Sequence, residues 1–73
     1  MTMDSTAMDH SKVFEILEDL TEEGGRIQDV AFDKDGVLFT REQSGPNRGQ
    51  WKRHGVVHVE KARVWVREYF IVA

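Results

Sequence analysis

The sequence has no cysteine and a single proline, Pro46. Without cysteine there is neither a disulfide framework nor a thiolate metal site, both of which commonly support domains shorter than about 70–80 residues. The 73 residues leave room for one small domain. Such a domain buries only about 60% of the surface that its unfolded chain exposes, which leaves little room for an enclosed pocket. The composition therefore disfavours an enzyme and favours a module that binds a partner.

Long apolar runs and targeting signals are also lacking. No run approaches the ~20 apolar residues that a membrane-spanning helix requires. The first ten residues lack the basic and apolar regions of an export signal, so we expect a cytoplasmic protein without membrane contact. Residues 1–9 are mostly polar and are expected to form a disordered tail before a single domain at residues 10–73.

Motifs of enzyme chemistry and of metal binding are absent or incomplete. No serine lies in a nucleophile-elbow pattern, and the glycines form neither a P-loop nor a dinucleotide fingerprint. The segment 33–36 (Asp-Lys-Asp-Gly) resembles the centre of a calcium loop, but the first ligand position then falls on Ala31. His54 and His58 need a third ligand from elsewhere to hold zinc. We predict no catalytic activity, no cofactor and no metal.

The net charge of −3 hides a strong division along the chain. Up to Asp35 there are three basic and ten acidic residues, and from Gly36 onward there are seven basic and three acidic residues. The two parts therefore carry −7 and +4. This asymmetry is typical of a two-signed binding surface, although two solvated faces that neutralise each other in the fold give the same numbers.

Residues 10–23 have the periodicity of an amphipathic helix. Asp9 or Ser11 can cap its N-terminus, and the Gly24-Gly25 pair is a stop signal. The apolar residues with helical spacing are Val13, Phe14, Ile16, Leu17 and Leu20. The outer surface is strongly acidic even near the negative end of the helix dipole, which stability alone does not favour. The candidate partner-binding residues on this surface are Glu15, Glu18, Glu22 and Glu23.

The rest of the chain is rich in strand-forming residues. Segments 26–33 and 37–41 are joined by an Asp-Gly turn and predict a β-hairpin, and residues 42–50 form the longest candidate loop. From Trp51 the chain is again strand-like, with runs at 56–60 and 63–72. For residues 61–73 we favour strand, in which Val64, Val66, Phe70 and Val72 share one face. The alternative is a helix that uses Ala62, Val66, Tyr69 and Phe70. The predicted fold is α+β, with one N-terminal amphipathic helix packed on a small antiparallel sheet of three or four strands.

Residues 47–55 place Trp51 among cations in a glycine-flanked segment. The candidate partner-binding residues here are Arg48, Trp51, Lys52 and Arg53. An exposed aromatic ring can stack on a base while cations neutralise phosphates, and Arg and Trp are also typical of protein interface hot spots. Alternatively, Trp51 begins a strand and fills the core. Because the chain as a whole is acidic, we favour a protein or ribonucleoprotein partner over free nucleic acid.

A short chain with an acidic opening helix, a basic second half and no enzyme motif resembles the small transcription regulators of Xanthomonas bacteriophages that bind host RNA polymerase. The resemblance covers the full length and rests on size and general character. It implies a non-enzymatic regulator that binds the N-terminal region of the polymerase β′ subunit and the β flap near the RNA exit channel. It further implies loss of the σ factor, and reduced pausing and termination together with the elongation factor NusA. We expect a monomer.

Two other functions fit the same residues. One is a small nucleic-acid-binding module that uses the cations around Trp51. The other is a phage inhibitor of a host defence complex, in which the acidic helix mimics phosphates.

Overall fold

The computed structural model describes residues 7–72, which form two helices and three strands. The elements are helix α1 (His10–Glu22), a 3-10 turn (Ile27–Asp29), strands β1 (Val30–Phe32), β2 (Val37–Arg41) and β3 (Trp51–Val56), and helix α2 (Val59–Val72). The strands form one antiparallel sheet in the order β1-β2-β3. The α+β prediction is confirmed. In the described range, neither helix is long and apolar enough to cross a membrane.

Helix α1 begins and ends close to the predicted signals. Asp9 is its N-cap, and Oδ1 of Asp9 accepts a hydrogen bond from the backbone N–H of Lys12 at 3.0 Å. Gly24, with φ of 94°, takes the left-handed conformation just after the helix. The preceding Met8 donates its backbone N–H to the carbonyl oxygen of Val56 at 2.8 Å. The predicted disordered tail therefore includes residues that bond to the domain, while its residues 1–6 lie outside the described part of the chain.

Strands β1 and β2 form the predicted hairpin. Asp33 holds the turn, because its Oδ1 accepts two backbone N–H groups at 2.9 Å each. Gly36 supplies the positive φ of 80° that this turn requires. Strand β1 is shorter than the strand predicted at residues 26–33, because residues 27–29 form a 3-10 turn. Oδ2 of Asp29 accepts the backbone N–H of Arg26 at 2.9 Å and closes that turn.

Strand β3 follows the predicted loop at 42–50 and pairs with β2. It covers Trp51–Val56, which agrees with the strand-like chain predicted from Trp51. The run predicted at 56–60 is wrong beyond Val56, because α2 begins at Val59. Leu38 lies opposite Gly55 and Phe39 lies opposite Arg53, which leaves His54 as an extra residue in a β-bulge.

The preference for strand in residues 61–73 is wrong, because Val59–Val72 forms α2 and residue 73 lies outside the described range. As a helix, this segment buries Ala62 and Val66, one turn apart, in the main core cluster. Val64, which the strand interpretation put on the same face as Val66, is 48% exposed. Burial of one helical face therefore outweighs the strand propensity of the valines and aromatic residues.

One hydrophobic core joins both helices to one face of the sheet. Its buried residues are Val13, Ile16, Leu17, Leu38, Val57, Ala62 and Val66. Side chains alternate along β2, so Leu38 enters this core while Phe39 points to the opposite face and is only half-buried. In the described chain, both helices therefore lie on the Leu38 side of the sheet. We call the opposite side the outer face.

Candidate partner-binding surface

The structure divides the predicted binding residues between two regions. Four of them border a cleft of about 270 Å³ between α1 and strands β2 and β3, and these are Glu15, Glu23, Lys52 and Arg53. We call it the α1–β3 cleft. Glu18, Glu22 and Arg48 are exposed and do not line it. Trp51 is also outside the cleft, on the outer face of the sheet.

The α1–β3 cleft brings the two charged parts of the sequence face to face. Glu15, Asp19 and Glu23 lie on its α1 side, and Lys52 and Arg53 lie on its β3 side. In residues 7–72 no ion pair joins the two sides. Opposite charges separated by water contribute little to stability. The arrangement therefore agrees with two solvated faces that partly neutralise each other.

His54 borders the same cleft through the β-bulge. Its Nε2 is 2.6 Å from Oγ1 of Thr40, which is buried. Burial lowers the pKa of His54, the positive charge of Lys52 lowers it further, and the carboxylate of Glu42 opposes the shift. The Thr40–His54 pair resembles a nucleophile and its base, but in the described residues no carboxylate is hydrogen-bonded to His54 to orient it as a base. In the described residues, no three histidine or carboxylate side chains are placed to hold a metal ion.

The free energy of unfolding is expected to decrease as the pH falls below 6.5, the ordinary pKa of His54. Because the folded state lowers this pKa, the unfolded chain binds the proton more readily. The stability that neutral His54 supplies is complete above pH 6.5 and is lost as the pH falls through the folded-state pKa. Urea unfolding between about pH 5.5 and 7.5 measures the slope.

His54→Gln removes the titrating group while its amide can still bond to Thr40, so this variant should have a flatter pH dependence. His58→Gln is the matched control, because His58 is exposed and makes no contact in the cleft. Equal slopes for the wild-type chain and His54→Gln would contradict the assignment.

Trp51 begins β3 but does not fill the core, because 44% of its surface is exposed on the outer face. The register places Arg41 directly opposite it. The Cζ atom of Arg41 is 4.4 Å from the ring centroid of Trp51, which is a cation–π contact. Arg41 was not among the residues predicted from sequence.

Asp29 fixes the position of Arg41 from the other side. The Nε atom of Arg41 is 3.5 Å from Oδ1 of Asp29, and this carboxylate is itself held by the backbone N–H of Arg26. The Nε atom is buried and makes no hydrogen bond within the described residues, so the contact is an ion pair only. Asp29, Arg41 and Trp51 thus form a row across the sheet, which we call the Trp51 row.

Comparisons of the chain with protein-family models, with curated proteins and with solved structures find no match.

The outer face also offers an apolar surface beside the Trp51 row. Phe39 and Ala31 lie next to Trp51 and border a shallow depression of about 220 Å³. An aromatic ring, a guanidinium over its face and adjacent apolar surface together are typical of the centre of a protein interface. The α1–β3 cleft has no comparable apolar surface, because eleven of the thirteen residues that line it are polar or charged, and only Ile16 and Leu20 are apolar.

Proposed function

We propose that this chain is a small, non-enzymatic regulator that binds host RNA polymerase in a bacterium infected by a phage. The resemblance of the sequence to polymerase-binding phage regulators supports the choice of partner. One structural observation supports the binding surface: exposed Trp51 carries Arg41 over its ring, and Asp29 holds Arg41 in place.

The Trp51 row suits a protein partner for energetic reasons. Large aromatic and arginine side chains account for most of the binding energy at protein interfaces. Ordering a flexible side chain costs about 0.5–1.5 kcal/mol on association. Because Arg41 is already held between Asp29 and Trp51, the free protein has met part of that cost.

A small protein can regulate a large enzyme without chemistry of its own. A ligand shifts a conformational equilibrium by the difference between its affinities for the two states. Binding at the β′ N-terminal region and the β flap, as the resemblance implies, would favour a polymerase conformation that retains σ poorly. The same binding, together with NusA, would reduce pausing and termination.

Binding to purified Xanthomonas core RNA polymerase tests the proposal directly. We expect saturable binding of one chain per polymerase by native mass spectrometry, and release of σ from the holoenzyme as the chain is added. Absence of binding at low salt and micromolar concentration would exclude the polymerase as partner, because typical regulatory complexes are populated under those conditions.

A nucleic-acid-binding module is the second candidate, and the exposure of Trp51 beside cations favours it. Titration with single-stranded and double-stranded oligonucleotides at two salt concentrations separates the two functions, with tryptophan fluorescence as the signal. Trp65 is half-buried at 5.1 Å from the ring of His10, so a Trp65→Phe variant isolates the signal of Trp51. Salt-dependent quenching would favour nucleic acid, and an unchanged spectrum would favour the protein partner.

A further inference from the structure

A second groove lies between α2 and strand β1, on the side of the sheet that the helices cover. Its volume is about 260 Å³, and it is lined by Ile27, Val30, Phe32, Arg63, Val66 and Arg67. We call it the α2–β1 groove. It shares no residue with the α1–β3 cleft.

The two arginines of the α2–β1 groove are exposed and unpaired within the described residues. The ion pairs in that part of the chain are Lys12–Glu15 and Asp29–Arg41, so neither Arg63 nor Arg67 has a carboxylate partner there. They are four residues apart and therefore lie on the same side of α2, about 6 Å from each other along the helix. The Cζ atom of Arg63 is 5.9 Å from the ring centroid of Phe32.

The remaining surface of the groove is apolar. Val66 is buried at the helix side, Val30 and Phe32 are half-buried in β1, and Ile27 is exposed at the rim. A hydrophobic side chain placed here would remove apolar surface from water on both partners. The groove thus combines two free positive charges on one side with apolar surface on the other.

We propose that the α2–β1 groove binds an extended, acidic segment of a protein partner, with an apolar residue between two carboxylates. In an extended peptide, alternate side chains lie on the same side and are about 6.6 Å apart, which matches the spacing of Arg63 and Arg67. The apolar residue of the peptide, which lies between the two carboxylates, then points the opposite way, toward Ile27 and Val30. The planar guanidinium groups can each receive a carboxylate through two hydrogen bonds.

Charge complementarity selects this occupant. The part of the chain from Gly36 onward carries four more positive than negative charges, and both arginines belong to it. A phosphate backbone would satisfy the arginines but would leave the apolar side of the groove exposed. Because this groove shares no residue with the Trp51 row, the inference can be tested separately from polymerase binding.

Fluorescence polarisation with a labelled peptide of sequence Gly-Ser-Asp-Leu-Asp-Ser-Gly tests the inference. We expect saturable binding that weakens about tenfold or more when both Asp residues become Asn, or when Leu becomes Ser. On the protein side, the double variant Arg63→Gln/Arg67→Gln should bind about 30-fold or more weakly. The variant Arg63→Lys/Arg67→Lys keeps the charge but loses the two-bond geometry, so its affinity should be intermediate.

Lys34→Gln/Lys61→Gln is the matched control, because it removes the same charge from exposed positions outside the groove, one of them on α2. It should change the affinity less than about threefold. Amide chemical shifts of the wild-type protein provide a readout that needs no variant, and the peptide should move Ile27, Val30 and Val66. An equal loss of peptide affinity in Arg63→Gln/Arg67→Gln and in the control variant would overturn the proposal. Chemical-shift changes confined to residues outside the groove would also overturn it. The proposal would also be overturned if the wild-type chain self-associated and Arg63→Gln/Arg67→Gln abolished this association, since the occupant of the groove would then be a second copy of the chain.

Discussion

Replacing Leu38 with alanine is expected to destabilise the domain by about 2–5 kcal/mol. Leu38 is 0% exposed and belongs to the core cluster that includes Leu17 of α1 and Val66 of α2. Truncation loses the transfer free energy of the removed atoms and leaves a cavity that the surrounding side chains fill only in part. A domain of this length has a total stability of about 3–10 kcal/mol, so this loss should remove a large fraction of it and lower the urea concentration at the unfolding midpoint strongly.

Circular dichroism during urea titration measures this effect. Ile71→Ala is the matched control, because it also truncates a branched aliphatic residue but at a position that is 72% exposed. We expect the control to change the free energy of unfolding by less than about 0.5 kcal/mol. If Leu38→Ala costs no more than Ile71→Ala, the two helices are not held to the sheet through Leu38.

Local signals explain the elements that the sequence predicted well. Helix α1 has a strong apolar period, an N-cap at Asp9 and a glycine stop at Gly24, all within one short segment. The hairpin is similarly local, because Asp33 and Gly36 determine its turn. Neither element needs information from distant residues.

Helix α2 was missed because its sequence fits two periods. Val66 and Phe70 lie on the buried face of both the strand and the helix interpretation. The choice depends on whether Ala62 or Val64 packs on the core, and Ala62 does so against the cluster of Leu17 and Leu38. That contact joins residues distant in sequence, which propensity does not describe.

The Trp51 row was predictable in part. In the hairpin, paired residues have numbers that add to 70, so continuing the pairing past β1 places Asp29 beside Arg41. The partner of Arg41 on β3 does not follow in this way. The loop at 42–50 and the bulge at His54 set the register that brings Trp51 opposite Arg41, and neither is fixed by a local rule.

Truncating Trp51 to alanine is expected to weaken binding to core RNA polymerase about 100-fold or more. The exposed ring would occupy the centre of the interface, where large aromatic side chains contribute most. Arg41→Ala should weaken binding about 10-fold to 30-fold, because it removes the guanidinium over the ring and leaves Asp29 without its cation. Titration of the fluorescently labelled chain with purified polymerase gives both affinities.

The double variant Arg41→Ala/Trp51→Ala separates direct contact from positioning. If Arg41 acts through the ring, the losses of binding free energy in the two single variants should not be additive. Their sum should exceed the loss in the double variant by about 0.5–2 kcal/mol. Ile71→Ala should leave the affinity unchanged, since this exposed residue of α2 lies outside the outer face. Full binding by Trp51→Ala together with loss of binding by Glu18→Gln/Glu22→Gln would instead place the polymerase contact on the acidic surface of α1, because carboxylate neutralisation there leaves the Trp51 row intact.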